Sequence, residues 1–517
     1  MNLINRFWKK QKEEPAAMPE LKEIEGRIDV RKSLATYSIT HRFVLQSDLL
    51  SYDNVSMLSE ELNVPSKVVR DDLSKLTKGM VGNLTVCIEY PYVDEYYRDT
   101  YYSFYARKHS GYNRYCFRLS FFQDEDGITE ANFYNKKLED SYMGYCILRP
   151  TPRRVIGYTF LSPRIYKVNN FSICLCERSS FIKGRRVMTY AFPFSGQDGE
   201  MNTCAETCVT MMFDYFSRRY NKYARVLPSQ IASQLTDCIL DRKPRIQQPS
   251  VGVDVDTIAS IMNVFNLNTR QYYKVLSEDD VNSSHYSEDD FKRLLHIYIE
   301  SGFPLYVVTQ QHAMLAIGRQ NRLFYYSPKI VVVNDEKKPY WQLQNEDDIL
   351  SFIVPVPENI LLNVDVLDPT KDLEILSRDY PIADIHVNDT DYYNRVYLTT
   401  SRSYKSYIVD SSLNAENKDF IVSTAMPKFI WVCESIKKSD LSKSIQDIKL
   451  SNIAIFDSTD YPSEYNHIIV VKSKTKLLVP YDDRTHMRKR FYRVSDSKEV
   501  LTPFTNNLKG FVDNWKI

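Results

Sequence analysis

The first third of the chain alternates short runs dense in Tyr, Phe, Val and Ile with clusters of Asp, Asn, Gly and Pro. Residues 84–92, 101–106, 115–122, 145–148 and 154–161 have the length and composition of β-strands, since aromatic and β-branched side chains suit a pleated, half-buried surface. A single stretch there, 57–76, reads as helical instead. The pattern changes after Pro193: Cys204, Cys208, Met211, Met212, Tyr215 and Phe216 recur at three- and four-residue steps, which predicts a helix over 203–220 with one apolar face. Helices are also predicted at 229–236 and 254–265. Ser287 then opens Ser-Glu-Asp-Asp ahead of Phe291, Leu294, Leu295, Tyr298 and Ile299, a capped helix that stops at Gly302. Strands follow at 305–309, 313–318, 323–326 and 330–333. Beyond Pro355 and Pro357 the strand pattern returns at 395–400, 407–409, 429–434, 453–457, 468–471 and 476–480.

Helices followed by an antiparallel sheet make the expected fold class α+β. Four parts are expected: a flexible lead-in over 1–35, a β-rich N-terminal domain with one helical segment over 36–185, a helical half plus antiparallel sheet over 186–358, and a β-rich C-terminal domain over 359–517. No repeat of twenty to fifty residues is present, so neither a solenoid nor a propeller fits. Hydrophobic residues at 43% and charged residues at 26%, with only 14 Gly and 22 Pro in 517, exclude collagen-like and mostly disordered chains.

Charge narrows the partners. Lys and Arg number 67 and Asp and Glu 66, so the formal charge of +1 creates no global field for nucleic acid or an anionic membrane. The nine cysteines lack the spacing of a disulfide framework and read as reduced thiols. The N-terminus has no apolar run of signal-peptide length, and no stretch approaches the roughly 20 apolar residues of a membrane span. A cytoplasmic protein is expected, with a peptide or protein substrate and no membrane or nucleic-acid partner. No cofactor is expected, and no metal either: Cys204, Cys208 and His312 could ligate zinc, but a lone four-residue Cys pair without a second pair is a weak signature.

The candidate chemistry begins at Gln197-Asp-Gly-Glu-Met-Asn-Thr-Cys204. A cysteine in the first turn of a helix meets unpaired backbone N–H groups and the positive end of the dipole, which favour thiolate over thiol. Gln197 can offer an amide donor to the oxygen of a tetrahedral intermediate beside the Cys204 backbone N–H. His312 heads the apolar strand Ala-Met-Leu-Ala-Ile-Gly318, where an imidazole can be held by packing while one nitrogen faces a cleft. The run Val331-Val-Val-Asn334-Asp335 supplies an orienting acceptor. Because neighbours on a strand face opposite ways, one of the two should face His312; Asp335 is favoured and Asn334 is the alternative.

This order of Gln197, helical Cys204, a helix ending in Gly-Phe-Pro, His312 and then Asp335 resembles the papain-like cysteine peptidases, especially the bacterial branch that processes bacteriocin leader peptides. The resemblance covers about residues 190–355. It implies a Cys-His-Asp triad with a glutamine oxyanion donor and a papain-like domain flanked by two β-rich modules. Ala205 and Glu206 replace the Gly-Pro often found after the family's cysteine, and Glu336 replaces the proline that commonly follows its acid. The expected activity is a thiol-dependent hydrolase cleaving a peptide or side-chain amide bond, with deamidase and transglutaminase chemistry starting from the same attack. A catalytically inactive peptide-binding protein is the alternative. A third reading rests on 57–76, which is similar to the helix-turn-helix of bacterial transcription regulators and would bring Ser66, Lys67 and Arg70 to DNA; Asp71 and Asp72 on the same helix argue against it.

Overall fold

The computed structural model describes residues 39–124, 126–167, 170–201, 204–238, 253–275, 285–310, 312–320, 329–356, 360–362, 364, 367–380, 390–460, 467–481 and 491–511. It opens with β1 (Thr40–Leu45), α1 (Tyr52–Leu62), α2 (Ser66–Thr77), β2 (Leu84–Tyr92), α3 (Glu95–Ser103), β3 (Cys116–Gln123), β4 (Tyr142–Leu148) and β5 (Ile156–Leu161). The helical stretch expected at 57–76 is two helices. Asn63 takes a left-handed φ of 53° that ends α1, and Pro65 precedes the first turn of α2. Residues 101–106, expected as a strand, lie in α3 and the turn after it. Asp94 caps that helix by accepting from the Tyr97 N–H at 2.8 Å, so the cap and the burial of Tyr96 and Tyr97 override the β preference of tyrosine.

The middle of the chain contributes β6 (Phe171–Ile173), β7 (Cys176–Ile182), β8 (Arg185–Ala191) and β9 (Phe194–Ser195), then α4 (Cys204–Arg219), α5 (Pro228–Cys238) and α6 (Val255–Val264). It continues with β10 (Thr269–Lys274), β11 (His285–Tyr286), α7 (Glu288–Glu300), β12 (Leu305–Val308), β13 (Ala313–Gln320), β14 (Ile330–Val333), β15 (Trp341–Gln342) and β16 (Ser351–Pro355). Ser287 caps α7 through the Asp290 N–H, and Gly302 ends it with a φ of +75°, where a Cβ would stand 2.5 Å from the Asn507 carbonyl oxygen. The strand expected at 323–326 lies outside the described residues.

The last part holds α8 (Pro369–Asp379), β17 (Tyr392–Thr400), α9 (Ser401–Asp410), α10 (Ala415–Ser423), β18 (Phe429–Lys437), β19 (Leu450–Asp457), β20 (Ile468–Lys472), β21 (Lys476–Tyr481), β22 (Phe491–Asp496) and β23 (Lys509–Phe511). Residues 407–409, expected as a strand, belong to α9, which the Thr400 side chain caps by accepting from the Ser403 N–H.

The result is a mixed α+β architecture with several antiparallel sheets. The two outer sheets are six-stranded meanders, β1-β2-β3-β4-β5-β9 and β17-β18-β19-β20-β21-β22, and in both a pair of helices separates the first strand from the second. The middle sheet runs β11-β10-β16-β12-β13-β14-β15, with β6 paired to β13 and β23 paired to β6. Strands cross the boundaries expected near 185 and 358. Ile173 of β6 lies opposite Gly318, Phe194 of β9 pairs with Thr159 of the first sheet, and Lys509 of β23 pairs with Ile173. Contacts divide the chain at residue 40, and residues 41–517 form one unit with a core that runs from Leu49 to Leu508.

A buried ion network also crosses the modules. Glu300, at the end of α7, accepts from Arg319 Nε and from Arg395 Nη2, both at 2.6 Å, and Arg395 also reaches Glu434 at 2.8 Å. Burial works against the Glu300 charge, yet the two guanidinium groups hold its pKa down at about 2.

Candidate active site

Helix α4 starts at Cys204, which is half-buried, and packs its apolar face inward. One turn further in, Cys208 is fully buried; its S–H donates to the Ala313 carbonyl at 3.5 Å, and burial pushes its thiol well above the usual range. That contact lays the first turn of α4 on the first residue of β13, next to His312. A small turn fixes the histidine backbone. The Thr309 hydroxyl accepts from the His312 N–H at 3.2 Å, while the Thr309 N–H and hydroxyl donate to the His312 carbonyl at 2.9 and 3.0 Å.

The His312 ring meets both candidate acceptors. Nε2 lies 3.0 Å from Oδ1 of Asp335 and 3.1 Å from Oδ1 of Asn334. The expectation that only one of them could face His312 therefore fails, for a clear physical reason. Strand β14 ends at Val333, and Asn334 turns the chain by accepting from the Glu336 N–H at 2.9 Å, so strand alternation no longer applies. The Nε2–H is aligned with the Asn334 amide oxygen. Asp335 makes a close ion-pair contact off that line, and among the described residues its two buried carboxylate oxygens have no other hydrogen-bond partner. With Nε2 committed to this turn, Nδ1 is the ring nitrogen that remains to face another group. Burial opposes the imidazolium, but the contacts with Asp335 and Cys204 and their negative charge raise its pKa to about 10.

Gln197 sits elsewhere in this arrangement. Its Nε2 donates to Glu336 Oε1 at 3.3 Å, so the amide reaches the turn that carries Asn334 and Asp335. The loop around it is packed closely on the first sheet: a Cβ at Gly196 would come within 2.6 Å of the Ile156 carbonyl oxygen. Asp198 shapes the loop by accepting from the Glu200 and Met201 N–H groups at 2.9 and 2.8 Å, and Lys108 ion-pairs with Glu200.

A cleft of about 580 Å³ opens beside His312, with Met314, Trp341, Leu343 and Leu350 as its apolar surface and Gln310, Asn345 and Glu336 among its polar lining. Sequence reasoning did not single out Glu336 beyond its departure from the family pattern, nor Arg149 and Arg154, whose guanidinium groups bind the loop and the turn. The run Arg149-Pro-Thr-Pro-Arg-Arg154 was the available signal, a basic turn between two strands. Other His-carboxylate pairs are His41 with Glu89 at 3.2 Å, His296 with Glu346 at 3.0 Å, and His467 with Asp372 of α8 at 2.8 Å; His467 is buried, and Cys433 on β18 is buried with its thiol pushed up to about 12. On α2, Ser66, Lys67 and Arg70 are exposed, while Asp72 is buried and accepts from the Val155 N–H at 2.9 Å.

Among the described residues no group of His, Cys, Asp and Glu is arranged to hold a metal ion, and no helix is long and apolar enough to cross a membrane. No protein-family model, curated protein or solved structure matches the chain.

Proposed function

We propose that the protein is a papain-like thiol hydrolase that opens a peptide or side-chain amide bond through an acyl-enzyme on Cys204. One observation carries the reading: the His312 imidazole is held at Nε2 by Asn334 and Asp335, beside the first turn of the helix that Cys204 opens. In that arrangement the Cys204 thiolate attacks the carbonyl carbon and the imidazolium gives its proton to the leaving nitrogen as the C–N bond breaks. His312, now neutral, takes a proton from water, whose oxygen attacks the thioester and releases the acid and the thiol. Gln197 and the helix N-terminus are the donors nearest in sequence for the transient oxyanion. Asp335 stabilises the imidazolium and Asn334 orients it.

The alternative, an inactive peptide-binding protein, draws on the engagement of the Gln197 amide by Glu336. Intact-mass analysis after exposure to a carbonyl-mimicking thiol electrophile tests the main reading. Of the eight cysteines whose burial is described, Cys204 is the one not fully buried. A single adduct at Cys204 is expected, lost in Cys204→Ser and His312→Ala and kept in Cys208→Ser. Equal labelling of several cysteines, or none at Cys204 faster than in the unfolded chain, would sink the hydrolase.

A further inference from the structure

We infer that the turn between β4 and β5 is a positioning element of the candidate site, with Arg149 and Arg154 fixing the Gln197 loop and the turn of Asn334 and Asp335 against each other. This inference rests on the hydrolase reading but concerns residues outside the segment that carries the resemblance. The loop and the turn come from positions more than a hundred residues apart, and both present backbone carbonyls to the same short turn. Arg149, 6% exposed, donates from Nη2 to the Gly196 carbonyl at 2.7 Å. Arg154 donates from Nη1 to the Asp335 carbonyl at 2.7 Å and from Nη2 to the Glu336 carbonyl at 3.1 Å. Arg153, between them, reaches the Gly199 carbonyl at 2.7 Å.

A planar guanidinium holds two acceptors in a fixed relation, which a lysine cannot do. The turn that presents these groups is itself braced. The Arg149 N–H donates to the Val155 carbonyl at 2.8 Å, and the Arg149 Nε donates to the Thr151 hydroxyl at 3.2 Å. The Thr151 hydroxyl in turn bonds the Arg154 carbonyl. From outside, the buried Asp72 carboxylate of α2 holds the Val155 N–H at 2.9 Å. The second helix of the pair that resembled a DNA reader therefore buttresses the hairpin. The consequence is that the site is assembled jointly: the segment 186–358 holds Cys204 and His312, while the first sheet sets the separation between the Gln197 loop and the acid turn. Catalytic contacts at about 3 Å tolerate little error, since a displacement of about 1 Å can cost on the order of a hundredfold in rate.

The test uses the full-length protein with Arg154→Ala and Arg154→Lys, iodoacetate as the thiol probe because its carboxylate is drawn by the imidazolium, and thermal unfolding as the check on folding. Alkylation of Cys204 at about pH 9 should fall on the order of tenfold in Arg154→Ala, with partial recovery in Arg154→Lys. The alkaline limb of the alkylation profile should move to lower pH, because Asp335 no longer sits against His312 while Cys204 and Asn334 stay in place. Ring-nitrogen chemical shifts of His312, followed by NMR through the same pH range, should show the same displacement. A folded Arg154→Ala protein with unchanged rate and unchanged His312 titration overturns the inference. So does a rate loss that tracks lowered thermal stability with the titration unmoved, because that is the mark of a merely structural role. If Cys204 of the natural protein proves unreactive while Arg154→Ala still shifts the His312 titration, the hydrolase reading fails and the positioning role stands.

Discussion

Replacing Asp335 with Asn isolates the electrostatic part of the candidate site, since the side chain keeps its size and loses its charge. The carboxylate lies 3.0 Å from His312 Nε2 and is buried, so its attraction for the imidazolium is weakly screened. At an effective dielectric near 20, a unit charge at that distance contributes on the order of 5 kcal/mol. The Asp335 and Cys204 contacts together lift His312 from 6.5 to about 10 against the cost of burial, so the carboxylate supplies only part of that lift. Loss of about 2 pKa units, roughly 3 kcal/mol, is therefore the expected effect of Asp335→Asn. The sign follows from the raised pKa. In the natural protein the charged imidazole contributes stability that is complete below pH 6.5 and is lost as the pH rises through about 10. The reactive Cys204–His312 pair should likewise persist to about pH 10 and vanish above it. The assay is the pH profile of Cys204 alkylation by anionic iodoacetate, which the imidazolium attracts, together with His312 ring-nitrogen shifts. In Asp335→Asn the alkaline limb should move to about pH 8, and alkylation at about pH 9 should slow on the order of tenfold. An alkaline limb that stays near 10 in Asp335→Asn but moves in Asn334→Ala would refute the electrostatic argument and leave Asn334 as the third member.

Gln197→Ala should reduce turnover of an amide substrate about a hundred- to a thousandfold while leaving Cys204 alkylation nearly unchanged, because only the acyl-transfer transition state develops an oxyanion; parallel losses in both would assign Gln197 to shaping the loop instead. Glu300→Gln should lower the unfolding free energy by about 3 to 5 kcal/mol in urea titration at neutral pH, since Arg319 and Arg395 would be left buried beside a neutral amide. With the Glu300 pKa held near 2, that contribution is present above pH 4.5 and is lost as the pH falls toward 2, so the gap between the two proteins should close in acid, and a gap independent of pH would discount the ion network.

The elements that sequence patterning captured best are those whose neighbours in sequence decide their state. The strand expected at 84–92 is β2 with the same limits, and the helix opened by Ser287 and ended by Gly302 is α7 with that serine as its cap. Tyrosine-rich stretches were misread where a cap and tertiary burial outweigh β propensity, as at Tyr101 in α3 and Tyr407 in α9. The middle sheet was only partly legible, because β6 and β23 join it from the two outer parts of the chain and no local pattern encodes a partner more than a hundred residues away.

The candidate site divides along the same line. Cys204 and His312 could be named because each stands at the start of a regular element, and α4 lies against the first residue of β13. Asn334 and Asp335 were forced into a choice by strand geometry that ends one residue earlier, at Val333. Arg149 and Arg154 carry only the weak signal of a basic turn between two strands, since an arginine in a turn is ordinarily a solvated charge; the long-range pairing of their guanidinium groups with Gly196, Asp335 and Glu336 carbonyls is what gives them a role. That asymmetry has a physical origin. Reactive groups are chosen by the termini of helices and strands, which sequence can locate, whereas the separation between them is held by contacts to main-chain atoms. Any residue type offers such atoms, so composition conceals them. The same reasoning explains why Asp72 argued against DNA recognition in the sequence and proves, in the fold, to be committed to the Val155 N–H beneath the arginine turn.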